Sequence, residues 1–495
     1  MGIIEKQATR NAIYSYLGAV LGFVTLIWAS HVLTTDENGL TRVLVSIATL
    51  LAQFGNLGFN TVTIKFFPYF KNKEKGHHGF LFYALVVAAI GFTGCLITYY
   101  AFQDWIIDTN TEKSKLFVDY LFYLMPLTFF ALYFNVFDTY LRATYSSVAG
   151  SFTKEFLQRV FILIALALYF FQLVHFSTFV FLYIAATCAP TLLLLYFIIK
   201  QKEWHIKPTK GFISKELKSN ILKLSFYSIL SGGAGAIIVN IDAIMVNQLL
   251  GLSKTGVYSI AFYFGTIIII PARSLYRIAS SIISEAFKNE DIEQIKKLYN
   301  KSCNTQLTIG AFLFIGIVTN IHNIMSILPP EYETGKNVIL IISAGYLVEM
   351  ATGINQIIIV NSKYYRFDAY FIFLIVAIII IANLIFIPLY GIAGSAIATA
   401  LSITLGNTLR YLFLKIKYDM QPYDANTLKL IAISCTVFIA GYYFPYMNNL
   451  VLDILLRGSV VTVLFVFLIL KFNSSPDLNN KIRKNIQLIV AKKSV

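Results

Sequence analysis

Two arginines and two serines share one face of an apolar segment, IIIIPARSLYRIASSIISEAF at residues 267–287. They are Arg273, Arg277, Ser281 and Ser284, and Pro271 just before them is expected to kink the helix. An arginine deep in a bilayer costs at least about 2.5 kcal/mol, so two on one face need a common partner or an aqueous cleft. Both could instead lie at the cytoplasmic end of the helix. The serines that extend the stripe favour a functional role.

Acidic and amide side chains lie within three further apolar segments. They are Asn240, Asp242 and Asn247 in IIVNIDAIMVNQLL, Glu349, Thr352 and Gln356 at positions i, i+3 and i+7, and Asp138. An acid in hydrocarbon favours its neutral form, so it can exchange protons near neutral pH or pair with a buried arginine. Both roles stay open for Asp242, Glu349 and Asp138, with Arg277 as one arginine that could serve as the partner.

A stripe of amides runs through the stretch QFGNLGFNTVTIKFFPYFKNK at residues 53–73. Gln53, Asn56, Asn60 and Thr63 stand at i, i+3, i+7 and i+10, which places them on one face of a continuous helix. Amides facing lipid would lack hydrogen-bond partners, so this face must meet other helices or water. Interhelical hydrogen bonding and the lining of a cavity are equally good explanations. Lys65 can extend to the inner membrane surface.

Membrane-spanning helices are the elements that must position these side chains. Of the 495 residues, 57% are hydrophobic and only 13% are charged, and the mean hydropathy is +0.69. Soluble domains carry about 25% charged residues, so the composition excludes a soluble globular protein. Apolar segments long enough to span a bilayer begin near residues 12, 43, 79, 116, 157, 178, 222, 256, 306, 337, 367, 391, 427 and 451. The sequence predicts an all-α integral membrane protein of about 14 transmembrane helices.

The positive charge indicates the orientation of the helices. With the N-terminus inside, only six of the 40 Lys and Arg residues fall on the outer side: Arg42, Lys113, Lys115, Lys254, Lys336 and Arg457. This bias predicts that both termini are cytoplasmic, and it accounts for the net charge of +15 without nucleic acid as a partner. The first apolar run lacks a cleavage site of the A-x-A type and is expected to be a retained helix.

The chain is expected to contain two similar halves. IYSYLGAVLG at 13–22 resembles FYSILSGGAG at 226–235, and a short turn containing Gly39 or Gly256 follows each of them. Parallel repeats imply two six-helix lobes related by a pseudo-two-fold axis along the membrane normal. The predicted parts are an N-terminal lobe at 1–200, a cytoplasmic linker at 201–221, a C-terminal lobe at 222–415, and two further helices with a cytoplasmic tail at 416–495.

The sequence contains few features that are typical of an enzyme or of a metal-binding protein. The four cysteines are scattered without the spacing of a disulfide framework or a metal site. No Walker motif, metal cluster or nucleophile triad occurs, so no cofactor is predicted. The longest outer loop, QDWIIDTNTEKSK at 103–115, is short for an enzyme that works on sugars at the outer face.

Three segments together resemble the polysaccharide flippases of the multidrug/oligosaccharidyl-lipid/polysaccharide (MOP) exporter superfamily. They are FGNLGFNTVTIKFFPYF, NIDAIMVNQLLGLSKTGVYSIAFYFGTIIIIPARSLYRIASSIISEAF at 240–287, and NLIFIPLYGIAGSAIATALS at 383–402. The resemblance covers essentially the whole chain, and it implies a central cavity that alternates between the two faces of the bacterial inner membrane. The implied cargo is an undecaprenyl-diphosphate-linked oligosaccharide repeat unit, as for O-antigen or capsule. Membrane lipids, a polysaccharide polymerase and glycosyltransferases are the implied partners.

The resemblance also implies roles for individual residues. Diphosphate contacts would come from Arg273, Arg277, Arg142 and Lys65. The sugar path would be lined by Gln53, Asn56, Asn60, Ser281, Asn240 and Gln356. Coupling to an ion gradient would involve Glu349, Asp242 or Asp138.

Two alternative functions remain. A drug or cation exporter of the same superfamily would be expected to have a more acidic cavity. A membrane polysaccharide polymerase would be expected to carry a catalytic acid or arginine in an outer loop.

Overall fold

The chain folds into long helices that run back and forth. A computed structural model describes residues 3–144, 146, 148–209, 211–475 and 479, and contains no β-strand among them. Within this part of the chain, ten helices are long and apolar enough to cross a membrane, or twelve if each of two bent pairs is one span. The other two predicted segments correspond to the first helix, whose apolar part is Leu17–Val32, and to the helical stretch at 148–170. The predicted all-α membrane fold is confirmed.

Two compact units make up the structure, Met1–Ser259 and Ile260–Val495. The helices of the first unit are α1 (Ile3–Val32), α2 (Thr35–Gly55), α3 (Phe59–Phe70), α4 (Phe80–Asn110), α5 (Lys115–Asp119), α6 (Leu124–Ala143), α7 (Val148–Ser151), α8 (Gln158–Phe170), α9 (Phe176–Lys200) and α10 (Lys215–Leu250). α11 (Leu252–Gly265) begins in the first unit and ends in the second. The units divide later than the predicted linker at 201–221 because α10 packs against α2 and α3.

The second unit contains the remaining helices. They are α12 (Ile270–Lys288), α13 (Ile292–Thr319), α14 (Ile321–Ile327), α15 (Lys336–Thr352), α16 (Asn355–Asn361), α17 (Tyr365–Tyr390), α18 (Ile392–Tyr418), α19 (Ala425–Tyr442) and α20 (Leu450–Phe472). The last two correspond to the two C-terminal helices predicted beyond the lobes. They pack against α13 through a buried apolar cluster that includes Ile315, Val437 and Phe465.

The two glycines of the predicted repeat meet in the first unit. A Cβ at Gly39 would overlap the carbonyl oxygen of Leu252, and one at Gly256 would overlap that of Thr35. The contact is reciprocal because each glycine faces the carbonyl four residues before the other. The Thr35 and Ser253 hydroxyls, 2.8 Å apart, hydrogen-bond beside it. Both glycines lie inside helices, α2 and α11, and not in the turns expected for them.

The second predicted helix is broken, which corrects the expectation of one continuous amide face. α2 and α3 meet at a 44° bend, with positive φ at Leu57 (49°) and Gly58 (71°). A side chain at Gly58 would collide with the backbone of α10 at Ser225, so the close approach of α10 requires glycine there. The i, i+3, i+7, i+10 register therefore ends at Asn56 and restarts at Phe59.

A second helix break separates Glu349 and Thr352 from Gln356. The prediction that these three residues share one continuous helix face was therefore wrong. α15 and α16 meet at a 52° bend, and Gly353 between them has φ 63°. A Cβ on Gly353 would lie 2.7 Å from Cys303 Sγ, so the break packs directly on α13. Discontinuous helices expose backbone polar groups, and in membranes this is tolerated where protein or water covers them.

Two other departures from α-helical geometry occur in the spanning helices. A 3₁₀ turn at Thr266–Ile269 precedes α12, and Pro271 lies in the first turn of α12. A π-helical turn at Phe152–Leu157 joins α7 to α8 and was not predicted. Such wide turns are rare and occur frequently at functional sites.

Arg457, counted among the cations of the outer side, lies inside the last helix. It belongs to α20, is fully buried, and pairs with Asp453 one turn earlier at 3.0 Å. The Arg457 guanidinium also donates to the carbonyl oxygen of Gly441 at 2.9 Å and stacks 4.5 Å from the Tyr446 ring. The charge is fully satisfied, so this arginine has a structural role.

Candidate functional site

Charged side chains gather where α6 meets the π-helical turn of the first unit. Asp138 is buried and forms an ion pair with Arg142, one turn later on α6. The side chain of Arg142 remains 58% exposed. A Cβ at Gly150 would overlap the Asp138 carboxylate, which lies 2.8 Å from that position at its Cγ. The carboxylate therefore packs on the first turn of the 148–170 helix, where unpaired backbone N–H groups favour a negative charge.

The π-helical turn itself carries the next charges of the cluster. Lys154 lies with its ammonium 4.5 Å from the Phe134 ring of α6, and its side chain is exposed. Asp138 and Glu155 are both within electrostatic range of Lys154. Arg159 Nη2 lies 3.4 Å from Glu155 Oε2, whereas its buried Nη1 has no hydrogen-bond partner in the described part of the chain.

Packing of α1 against the turn holds these charges in place. A Cβ at Gly18 would overlap the Glu155 carbonyl oxygen, so α1 approaches the turn backbone to backbone. The Tyr14 ring lies 5.1 Å from the Phe152 ring and 6.3 Å from the Phe156 ring. We call Asp138, Arg142, Lys154, Glu155 and Arg159 the π-turn cluster. Its three cations exceed its two carboxylates, and two of those cations are exposed, so the cluster can bind an anion.

A second network of charges lies in the second unit, between α16, α17 and α18. Arg410 Nε donates to Asp368 Oδ1 at 3.0 Å, and both side chains are less than 10% exposed. Gln356 Nε2 donates to Asp368 Oδ2 at 3.2 Å. Both oxygens of the buried carboxylate are therefore satisfied, one of them by a cation.

Polar groups at the break between α15 and α16 extend this network. Thr352 Oγ1 donates to Asn407 Oδ1 at 3.0 Å, and Asn355 Nδ2 donates to the same oxygen at 3.1 Å. All three side chains are buried. The amide of Asn407 thus ties α18 to both sides of the break, which positions Gln356 for its contact with Asp368.

Glu349 sits on the edge of this network without a hydrogen bond. Its half-buried carboxylate accepts none from the residues the structure describes, and the cations within its electrostatic range are Arg410 and Arg273. Arg410 is already paired with Asp368, and Arg273 is exposed. Glu349 therefore has a half-buried carboxylate that makes no hydrogen bond to the described residues.

The residues predicted at 53–65 lie in different surroundings. Gln53 is half buried with its amide nitrogen against Gly232 of α10. Asn56 is buried at the break, and its Nδ2 has no hydrogen-bond partner in the described structure. Asn60 is half buried, and Lys65 is exposed. The break keeps Gln53 and Asn56 on α2 apart from Asn60 and Lys65 on α3.

The other predicted site residues form hydrogen bonds with nearby residues, or their side chains lie outside the described part of the chain. Asp242 accepts a hydrogen bond from the Tyr258 hydroxyl at 2.9 Å, and Arg42 is within electrostatic range of it. Asn240 donates to the carbonyl of Ala236 in its own helix at 3.0 Å. The last two predicted residues lie on α12. Ser281 is exposed and donates to its own helix, and the side chain of Arg277 lies outside the described residues.

The sequence predicted only some of the residues in the π-turn cluster and in the network around Asp368. Asp138 and Arg142 were identified, but Lys154, Glu155 and Arg159 were not, because the fifth helix was expected to begin near residue 157. Asp368 and Arg410 were not identified as site residues. The signal that could have found Glu155 and Arg159 is the acid followed by an arginine four residues later, which Asp138 and Arg142 share.

Comparison with known proteins identifies the family and the fold. The model of the family described as "Polysaccharide biosynthesis protein" matches residues 6–275, more than half of the chain. No curated protein gives a significant match.

Solved structures share the architecture at low sequence identity. The lipid II flippase MurJ, in an inward closed conformation, matches with a TM-score of 0.75 at 15% identity, over 93% of this chain and 98% of that one. An inward-facing multidrug resistance MATE family transporter of the MOP superfamily matches with a TM-score of 0.59 at 14% identity, over 81% and 94%. A MOP superfamily transporter from Pyrococcus furiosus matches with a TM-score of 0.56 at 13% identity, over 84% of this chain and 96% of that one. The chain therefore has the MOP superfamily fold and belongs to the polysaccharide biosynthesis protein family.

Proposed function

We propose that this protein flips undecaprenyl-diphosphate-linked oligosaccharide repeat units across the bacterial inner membrane by alternating access. The observation that carries the proposal is the excess of cations over carboxylates in the π-turn cluster, with Arg142 and Lys154 exposed, in a chain from a polysaccharide biosynthesis family. Intramembrane cations are costly unless they face water or a partner, and a diphosphate is a partner of matching charge. The flippase MurJ, whose fold is shared, is named for a lipid cargo.

Each unit carries exposed cations that are suited to bind a phosphate group. Arg142 and Lys154 are exposed in the first unit, and Arg273 is exposed in the second. Lys154 and Arg273 form no hydrogen bond to the residues the structure describes, so a phosphate oxygen would not have to displace an existing partner. Arg277 and Lys65 remain proposed contacts of the same kind. Guanidinium groups bind phosphate through two parallel hydrogen bonds, whereas lysine acts as a point charge.

Amides and hydroxyls are proposed to line the sugar path. Gln53 and Asn60 are half buried, and Asn56 has an amide nitrogen without a partner in the described structure. Ser281 is exposed on the same helix as Arg273. Asn240 and Gln356, also predicted for the path, already form hydrogen bonds within the protein and would have to exchange them for sugar hydroxyls.

Glu349 is the proposed site of coupling to an ion gradient. Asp138 is paired with Arg142 and Asp242 accepts a hydrogen bond from Tyr258, so taking up a proton would disrupt existing bonds at either residue. Glu349 has no hydrogen bond to lose and is near Arg273. Protonation there would remove a charge that now attracts the Arg273 guanidinium, which links proton uptake to a proposed substrate contact.

Orientation and partners complete the proposal. The distribution of positive charge supports an inner-membrane protein with both termini in the cytoplasm. On this orientation the π-turn cluster lies in the inner half of the membrane. There it would receive cargo from glycosyltransferases, and a polysaccharide polymerase would act on the cargo released at the outer face.

Translocation in proteoliposomes tests the proposal. Wild type, Lys154→Ala, Arg273→Ala and the control Lys296→Ala would be compared for the flipping of a fluorescent undecaprenyl-diphosphate oligosaccharide under a proton gradient. Losing one charge-assisted contact costs about 1.5–3 kcal/mol, which corresponds to about a 10- to 150-fold lower rate. The control should match wild type, because Lys296 pairs at 3.7 Å with an exposed Glu293.

Two results would overturn the proposal. Flipping that survives in a double variant of Lys154 and Arg273 would exclude these cations as diphosphate contacts. Efflux of cationic drugs without flipping of any lipid-linked saccharide would assign the protein to the exporters.

A further inference from the structure

A pocket of about 560 Å³ opens where α1 ends and the α8–α9 turn begins. It belongs to the first unit and is separate from the π-turn cluster, which lies at the other end of the same helices. Its volume is within the range of about 300–1,000 Å³ typical of small-molecule sites. The eight residues that line it are two valines together with His31, Tyr169, Phe170, Gln172, His175 and Phe176.

The lining suits a neutral ligand with both apolar and hydroxyl surfaces. Three of the eight residues are Phe or Tyr, and none of the eight is Asp, Glu, Lys or Arg. A pyranose ring presents C–H groups on one face, which pack on aromatic rings, and hydroxyls at its rim, which need donors and acceptors. A cation would find no carboxylate in this lining.

The polar groups of the pocket are available for a ligand. His31 Nδ1 lies 2.9 Å from the Ile27 carbonyl oxygen. A carbonyl only accepts, so Nδ1 carries the proton and Nε2 of the neutral ring is an acceptor. The side chains of Gln172 and His175 form no hydrogen bond to the described residues, and both are exposed. Gln172 supplies both a donor and an acceptor, as a hydroxyl requires.

The backbone at Gln172 is left-handed at the end of α8. Gln172 N donates to the Tyr169 carbonyl at 3.0 Å and Leu173 N to the Leu168 carbonyl at 3.0 Å, which is the Schellman pattern at the end of a helix. Gln172 holds the left-handed position of this motif, with φ 57°, where glycine or asparagine is usual. Lys202 and Glu290 hold the same position at other helix ends, so the conformation alone does not point to a ligand. What distinguishes Gln172 is that its exposed polar side chain lines the pocket.

Contacts with neighbouring residues hold the aromatic side chains of the pocket in place. The Tyr169 hydroxyl donates to Glu37 Oε1 at 3.2 Å, and Trp28 packs edge-on to Phe170 with ring centroids 6.1 Å apart. Tyr169 also lies 6.1 Å from the Phe176 ring. The aromatic surface is thus fixed before a ligand arrives, which reduces the entropy lost on binding.

We propose that this pocket binds one pyranose unit of a saccharide. On the proposed orientation it lies on the outer face, and the identification of its occupant as cargo sugar rests on the proposed function. Binding to the pocket is measured without flipping, so the two proposals can fail separately.

Tryptophan fluorescence tests binding in the full-length protein. The chain has three tryptophans, and Trp105→Phe together with Trp204→Phe leaves only Trp28, next to Phe170. The probes are methyl glucopyranoside, methyl galactopyranoside and N-acetylglucosamine, with acyclic mannitol as the control polyol. We expect a saturable change with at least one pyranose in the millimolar range and none with mannitol.

The variant Gln172→Gly tests the contribution of the Gln172 side chain to binding separately from that of the left-handed backbone. Glycine adopts the left-handed conformation without strain, so this variant should keep or raise thermal stability while weakening pyranose binding at least about tenfold. Equal binding by Gln172→Gly and wild type would overturn the proposal, as would the absence of a saturable response to all three pyranoses. A response to glycerophosphoethanolamine alone would assign the pocket to a lipid headgroup and would also overturn it.

Discussion

Removing Arg410 should strongly destabilise the second unit. Its Nε lies 3.0 Å from Asp368 Oδ1, and the two side chains are 9% and 6% exposed. Arg410→Ala would leave the buried carboxylate with Gln356 as its remaining side-chain donor, at 3.2 Å. Breaking a buried ion pair in this way costs about 3–5 kcal/mol. An exposed pair such as Lys296 and Glu293 is worth about 0–1 kcal/mol, so Glu293→Ala serves as the matched control.

Unfolding can be followed through a buried thiol near the ion pair. Cys303 is 2% exposed and contacts the break at Gly353, whereas Cys435 is exposed and would be replaced by serine. Reaction of the buried thiols with a fluorogenic maleimide during titration with SDS then reports the free energy of unfolding. Removing Asp368 and Arg410 together should destabilise less than the sum of the single changes, because no buried charge is left unpaired. Additive effects, or a loss below about 1 kcal/mol for Arg410→Ala, would refute the reasoning.

Two further variants examine the coupling carboxylate and the packing of the π-turn cluster. Glu349→Gln should fold normally and still flip cargo, but without stimulation by a proton gradient, and unchanged stimulation in proteoliposomes would exclude Glu349 as the coupling site. Gly150→Ala should lower the free energy of unfolding by about 1–3 kcal/mol because the new methyl displaces the Asp138 carboxylate. Gly94→Ala is its control: no atom lies within 4 Å of that position, so equal losses in the two variants would contradict this packing.

The number and order of helices follow from the sequence because the bilayer imposes a simple requirement. Each span needs about 20 apolar residues, and such runs are visible without knowing how they pack. The seventh helix was expected near residue 222 and begins at Lys215, and the fourteenth was expected near 451 and begins at Leu450. Errors in the starting points arise at polar helix ends, where hydropathy no longer distinguishes helix from loop.

The positions of the helix breaks could not be predicted, because packing determines them. Nothing local distinguishes Gly58 from the glycines that lie within regular helices, and only the approach of α10 shows that a side chain is excluded there. The same holds for Gly353 against α13. Both predicted polar faces failed at these breaks because the i, i+3, i+7 rule assumes an uninterrupted helix.

Individual residues of the charged clusters were predicted only where an acidic or basic residue lies well inside an apolar segment. Glu349 and Asp138 met this condition. Lys154 did not, because it precedes the apolar part of its helix, and the π-helical turn that carries it has no recognised sequence signal. The pairing of Asp368 with Arg410 joins residues 42 positions apart, and a single sequence contains no information on that contact.

The most direct test of the central claim is cargo selectivity in one set of proteoliposomes. Wild-type protein would be given undecaprenyl diphosphate bearing an oligosaccharide, undecaprenyl phosphate bearing the same oligosaccharide, and a cationic drug. We predict fastest translocation of the diphosphate-linked saccharide, with the monophosphate slower by at least about tenfold because it offers fewer oxygens to the cations. Transport of the drug alone, or equal rates for the two lipids, would contradict the account.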